Sequence, residues 1–209
     1  MADSVLYTTL KQEGEAEFTE KKSVFIGHAA PVKTEEEAIA FVKSYKHVYA
    51  DARHNVWAYL LKDGGLMRYS DDGEPQGTAG VPVLDVIRKN NVTDAVIVVT
   101  RYFGGILLGA GGLVRAYSHT AKLALDAAQV VTYEQYTQVE LECSYSDYQR
   151  YLAELPRFGA IVDDTQFSDR VRMLFCVKDT VLEALSVRVR ELSNGGDCIK
   201  VVGHRFDYR

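Results

Sequence analysis

The sequence predicts an α+β protein in two domains, and three features of its pattern carry that expectation. Residues 95–100, AVIVVT, are an unbroken, mostly β-branched run between helix-like segments, as expected of a strand covered on both faces. Past Val130 the pattern changes to alternating strands interleaved with two helical stripes. No proline-rich or glycine-serine linker marks the change, so the domains are expected to be closely joined, as residues 1–132 and 133–209.

In chain order, Val5 to Leu10, Ala16 to Glu20 and Ser23 to Ala30 read as short strands between polar turns. TEEEAIAFVKSYK reads as a helix, because Thr34 and Glu37 have capping-box spacing and Ala38, Phe41, Val42 and Tyr45 make one apolar stripe. HNVWAYLL and LMRYS flank KDGG, a hairpin signal. Pro82 opens a helix that Asn90 and Asn91 stop, and after AVIVVT a long helix is predicted from Leu113 to Ala128. In the second part QVELECSY alternates, with Val139, Leu141, Cys143 and Tyr145 on one face. Ser146 and Gln149 then suggest a capped helix. Strands near 160–167 and 170–178, a helix from Thr180 to Ser193 ended by NGG, and a strand from Cys198 to His204 complete a β-α-β-β-α-β order. That order is the ferredoxin-like unit.

The formal net charge of −5 excludes an overall polycationic nucleic-acid binder, so any contact with nucleic acid needs a local basic patch. The start lacks a basic segment leading into an apolar run, and no stretch of about 18 apolar residues occurs, so a cytoplasmic protein without a membrane span is expected. Cys143, Cys176 and Cys198 lack zinc or disulfide spacing and read as small hydrophobes.

TRYFGGILLGAGGLVRAY, residues 100–117, carries five glycines and two arginines. A Walker A lysine is missing, and the dinucleotide fingerprint that Gly109 and Gly111 begin has Val114 at its sixth position. What remains is strand, glycine-rich turn and helix start, with Gly104, Gly105, Gly111 and Gly112 in the turn and Arg101 and Arg115 on either side. Amides at Gly111, Gly112 and Leu113 together with the two guanidiniums would hold an anion. Alternatively the glycines serve close packing and Arg101 pairs with a carboxylate. SDDGEPQGTAG crowds Asp71, Asp72 and Glu74 into one loop, for a cation, for acid-base chemistry, or for turn formation and arginine pairing. Asp51, Arg53 and His54 precede a strand with Trp57 and Tyr59, but no nucleophile stands at recognisable spacing. The first strand of the second domain offers Glu140 and Glu142 outward, unlike an RNA-recognition sheet.

These blocks, with KKSVFIGHA near the start, resemble the IMPACT family in its bacterial YigZ-like form. The resemblance implies a first domain with the fold shared by a ribosomal-protein domain (domain 2-like) and domain IV of elongation factor G, followed by the ferredoxin-like domain. It also implies a nucleic-acid- or ribosome-associated regulator of translation without an established reaction. Eukaryotic relatives act through a partner upstream of a stress kinase by means of a further domain, so that partnership is not carried over. Matched residue by residue, the resemblance points to Lys22, Asp51, His54, Asp71, Asp72, Glu74, Arg101 and Arg115 as a surface constellation, with Arg53 where a small hydroxyl residue is expected.

The leading expectation is RNA or ribosome binding through the glycine loop and arginines, with a protein partner also in view and no cofactor, metal or catalytic residue assigned. The competing readings are an enzyme acting on a phosphorylated small molecule, with Asp71, Asp72 or His54 as base or ligand, and a non-catalytic protein-binding scaffold. The scaffold reading expects Arg101 and Arg115 to be paired and covered.

Overall fold

A computed structural model describes residues 7–193, 196 and 199–208. It divides into two compact units, Tyr7–Thr132 and the chain from Tyr133 onward. No helix among the described residues is long and apolar enough to cross a membrane.

The first unit runs β1 (Tyr7–Leu10), β2 (Gly14–Glu20), β3 (Ser23–Pro31), α1 (Glu35–Val48), β4 (His54–Leu60), β5 (Met67–Ser70), α2 (Gly80–Lys89), β6 (Ala95–Tyr102) and α3 (Gly109–Ala127). Five strands form one sheet in the order β2-β3-β6-β4-β5, with β6 antiparallel to both of its neighbours. The unbroken apolar run of β6 follows from this central place. Ile97 and Val99 pack with Phe25, Val56, Ile87, Tyr117 and Leu125 towards α2 and α3. Val96 and Val98 pack with Ala38, Val42 and Tyr59 towards α1. Because side chains alternate across a strand, a strand sandwiched between helix layers must be apolar on both parities. The expected cap of α1 is present: Thr34 Oγ1 accepts from the Glu37 amide at 3.2 Å.

His28 on β3 belongs to the α1 face. It is 2 % exposed, its ring stacks on Tyr45 with centroids 3.9 Å apart, and Nε2 lies 3.2 Å from the Tyr49 hydroxyl. Burial holds its pKa below the ordinary 6.5, against the opposing pull of Glu15, whose carboxylate is 3.6 Å from Nδ1. A depressed folded-state pKa means that the unfolded chain binds the proton first. Stability is therefore complete above about pH 6.5 and falls as the pH drops below it, and a His28→Gln variant is expected to lose that limb in a pH series of urea unfolding.

The second unit contains the greater part of β7 (Val130–Cys143), then α4 (Tyr145–Glu154), β8 (Ile161–Phe167), β9 (Val171–Lys178), α5 (Asp179–Leu192) and β10 (Ile199–Asp207). Its strands run in the order β10-β7-β9-β8, each antiparallel to its neighbours. Val139, Leu141 and Cys143 join Met173, Phe175, Leu185 and Tyr151 in its core. Glu140 and Glu142 instead meet Arg170 and Arg172 in ion pairs. The cap of α4 differs from the expected Ser146. Ser144 leaves β7 with extended dihedrals, and its hydroxyl accepts from the Asp147 amide at 3.2 Å, so the helix starts directly after the strand. The expected NGG stop at residues 194–196 and the strand start at Cys198 fall largely outside the described residues.

Candidate functional site

The candidate site lies in the first unit, where β6 ends, the glycine stretch turns and α3 begins. Arg101 follows Ile97 and Val99 in the alternation of β6 and therefore enters the layer under α2 and α3. It is 6 % exposed. Its Nη1 donates to Glu74 Oε1 at 2.6 Å, and Tyr117 of α3 donates its hydroxyl to the same oxygen at 2.8 Å. The His54 Nε2 stands 4.0 Å from that oxygen, and its Nδ1 donates to the Asp72 carbonyl at 2.9 Å. Burial, and then the carboxylate beside it, push the Tyr117 phenol far above its ordinary value, so it stays a proton donor. The Arg101 guanidinium carbon is 5.5 Å from the ring centroids of both Phe25 and Phe103. Its buried Nε has no hydrogen-bond partner among the described residues.

The carboxylates of the acidic loop are engaged internally. Asp71 accepts from the amides of Gly77, Ala79 and Gly80, so the anion at the start of α2 is the protein's own. Asp72 takes the Lys46 ammonium at 2.6 Å and the Asn55 amide at 2.7 Å. Asp51 accepts from the Tyr102 hydroxyl at 2.8 Å. No cluster of His, Cys, Asp or Glu suited to a metal ion occurs among the described residues.

This corrects the sequence reading in one respect: Arg101, expected on the surface, is a buried framework cation, with Glu74 and His54 in the same network. The acidic loop follows the reading of turn formation and arginine pairing, since Glu74 takes Arg101 while Asp71 and Asp72 turn to backbone amides and Lys46. In each case a polar group that folding removes from water must find a partner.

A different set of donors remains open. Lys21 and Lys22 form the two-residue turn between β2 and β3, with φ of 47° and 65°, the left-handed region that bulky residues rarely adopt. Gly104 packs on the backbone of this turn and donates its amide to Ser23 Oγ at 3.1 Å. The helix starts at Gly109 and not at the expected Leu113, so the amides of Gly112 and Leu113 fall inside its hydrogen-bond ladder. The amides without an intrahelical acceptor move to Gly109–Gly111, and Arg115 moves to the second turn. Arg115 is exposed and has no ion-pair or hydrogen-bond partner among the described residues. With His119, Phe18, Glu20 and Gly112 it lines an open cleft of about 360 Å³.

The sequence reading missed Tyr117, Phe18 and Phe103. Tyr117 had a signal, since it falls on the stripe Leu113, Ala116, Tyr117, Thr120, Ala121, and a buried phenol requires an acceptor.

The description Impact N-terminal domain matches residues 21–125, and a domain of unknown function (DUF1949) matches residues 141–195. The IMPACT family member YvyE of Bacillus subtilis is 37% identical over 195 residues, covering 93% of this chain and 90% of that protein. YigZ of Escherichia coli is 33% identical, covering 84% of this chain and 87% of its own. Protein IMPACT of Mus musculus is 37% identical over 97 residues, 44% of this chain and 30% of that protein. A solved structure titled only as a hypothetical protein aligns with TM-score 0.58 at 29% identity, over 95% of this chain and 98% of that one. The chain belongs to the IMPACT family.

Proposed function

We propose that this family member is a cytoplasmic, nucleic-acid- or ribosome-associated regulator of translation that binds RNA phosphates through its first unit. The observation that carries the reading is a set of exposed donors in this unit: Arg115 and His119, which line the cleft with Glu20, together with Lys21 and Lys22 on the hairpin turn that follows Glu20 and the first-turn amides of α3. A helix start supplies partial positive charge, and arginine supplies a fork suited to phosphate. Arg101, Glu74, His54, Asp71, Asp72 and Asp51 serve as the frame that fixes this surface.

The same proposal includes fold assignments. The first unit is taken as the fold shared by a ribosomal-protein domain and domain IV of elongation factor G. The second is taken as ferredoxin-like, which its antiparallel order β10-β7-β9-β8 supports. Glu140 and Glu142 on β7 face Arg170 and Arg172 in ion pairs, unlike the exposed aromatics of an RNA-recognition sheet, so RNA binding is assigned to the first unit.

The test is cosedimentation with ribosomes across a salt series. Wild type is expected to bind at low salt and to release as salt rises, and a Lys22→Ala, Arg115→Ala double variant is expected to release earlier. Absence of binding at low salt removes the reading. Arg101→Ala is unsuited to this test, because it strikes the buried frame.

The cleft volume favours a second reading, an enzyme or binding protein for a small phosphorylated molecule. A thermal shift with nucleotides or sugar phosphates, without ribosome binding, would select it.

A further inference from the structure

Phe103 lies just beyond β6 and is 52 % exposed, and two further apolar residues of the same loop, Ile106 and Leu107, are exposed at 42 % and 82 %. Three exposed apolar side chains within five residues of one loop make that loop the place on this unit to look for a contact surface. Phe103 is also held in place. The guanidinium of Arg101 packs against its ring, and Arg101 is fixed in turn by Glu74 at 2.6 Å and by its packing on Phe25. A ring supported by an immobile planar cation loses little freedom when a second flat group covers its open side. The chemistry around it chooses the partner. Gly104, the next residue, packs against the Lys22 backbone, and Arg115 and the open amides of α3 follow along the chain. An exposed ring next to the Lys22 turn, in a unit whose Lys22 and Arg115 carry no internal partner among the described residues, suits an unpaired base with its flanking phosphates, because every base has a π-face and every linkage a negative charge.

We infer that Phe103 is a stacking platform for an unpaired nucleobase of RNA, with Arg101 as its positioning residue and Lys22 and Arg115 receiving the adjacent phosphates. The inference rests on the RNA-binding reading above and goes further by specifying single-stranded over duplex RNA. It also gives the buried arginine a task that direct phosphate contact does not.

Fluorescence anisotropy at low salt, with a labelled single-stranded oligoribonucleotide and a blunt duplex of the same sequence, tests it. Phe103→Ala is expected to weaken single-strand binding by roughly 5- to 150-fold, the equivalent of losing one stacked base, and to leave the duplex nearly unaffected. Phe103→Tyr should restore single-strand binding. Arg101→Lys keeps the charge beside Glu74 but removes the planar support, so the ratio of single-strand to duplex affinity should fall, which a loss of folded protein alone would not produce. Arg115→Ala should weaken both ligands. If Arg115→Ala weakens binding while Phe103→Ala does not, the stacking inference falls and the phosphate reading stands. If Phe103→Ala weakens both ligands equally, the platform is likewise overturned. If wild type binds neither RNA, both readings fall together.

Discussion

Glu74→Ala is expected to lower the stability of the first unit by about 3–5 kcal/mol, the cost of leaving one member of a buried ion pair without its partner. Glu74 Oε1 receives both the Arg101 guanidinium and the Tyr117 hydroxyl. Its removal strands a cation that is 6 % exposed together with a buried phenol. Urea unfolding followed by tyrosine fluorescence and circular dichroism measures the loss, and a change below about 1 kcal/mol would show that water reaches the pocket and replaces the carboxylate. Glu74→Gln keeps the shape and one carbonyl acceptor and should fall between the two. The network spans 43 residues of sequence, from the loop through β6 to α3, so weakening it should also loosen the 70–80 loop.

Gly104→Ala is expected to have the second large effect. A Cβ at this position would lie 2.0 Å from the Lys22 carbonyl carbon and 2.1 Å from its oxygen, distances at which backbone must move. The expected cost is at least about 1–3 kcal/mol, in the range of overpacked sites, and thermal unfolding measures it. The displacement should also carry Phe103 and the lysine turn apart and weaken RNA binding, although no charge is altered. Gly111→Ala is the contrasting control. Its Cβ would meet only Arg115 Nη1 at 3.6 Å, and it sits in the first turn of α3, where alanine is the better helix former. Equal losses at both positions would contradict the close-approach explanation.

The parts of the fold set by local chemistry were legible in the sequence. Thr34 and Glu37 announced the start of α1, and the β-branched run 95–100 announced a central strand, because capping and two-sided burial leave short-range marks. Ser144 was harder to read, since Ser146 and Gln149 show the same spacing, and the end of β7 decided between them. The start of α3 was misplaced because four residues of low helix propensity or small size, GAGG, look like a continuing loop. Packing of the helix against β2 and β3, at Gly27 against Thr120 and Ala124, supplies what local propensity lacks.

In the candidate site the sequence marked the two arginines beside the glycines but not their arrangement. Arg101 and Arg115 both flank the glycines, yet one is buried and the other open. Parity along β6 distinguishes them in hindsight, since Arg101 shares a face with Ile97 and Val99, which point under α2 and α3. The loop's carboxylates were legible as arginine partners, but which of the three takes Arg101 was not, because Glu74 is 27 residues away and reaches it only through the register that sets His54 opposite Arg101. The roles of Asp71 and Asp72 depend likewise on which backbone amides the loop turns inward, a property of the folded loop and not of its composition.

The central claim is that Lys22 and Arg115 contact phosphate while Arg101 only supports the surface, and the salt dependence of RNA affinity tests it most directly. For wild type, log K against log salt should fall linearly, and Lys22→Ala and Arg115→Ala should each reduce the magnitude of that slope by about 1 without a change in thermal stability. Arg101→Lys, which keeps the buried charge, should leave the slope as it is. Slopes unaltered by Lys22→Ala and Arg115→Ala, or no RNA binding by wild type at low salt, would contradict the account.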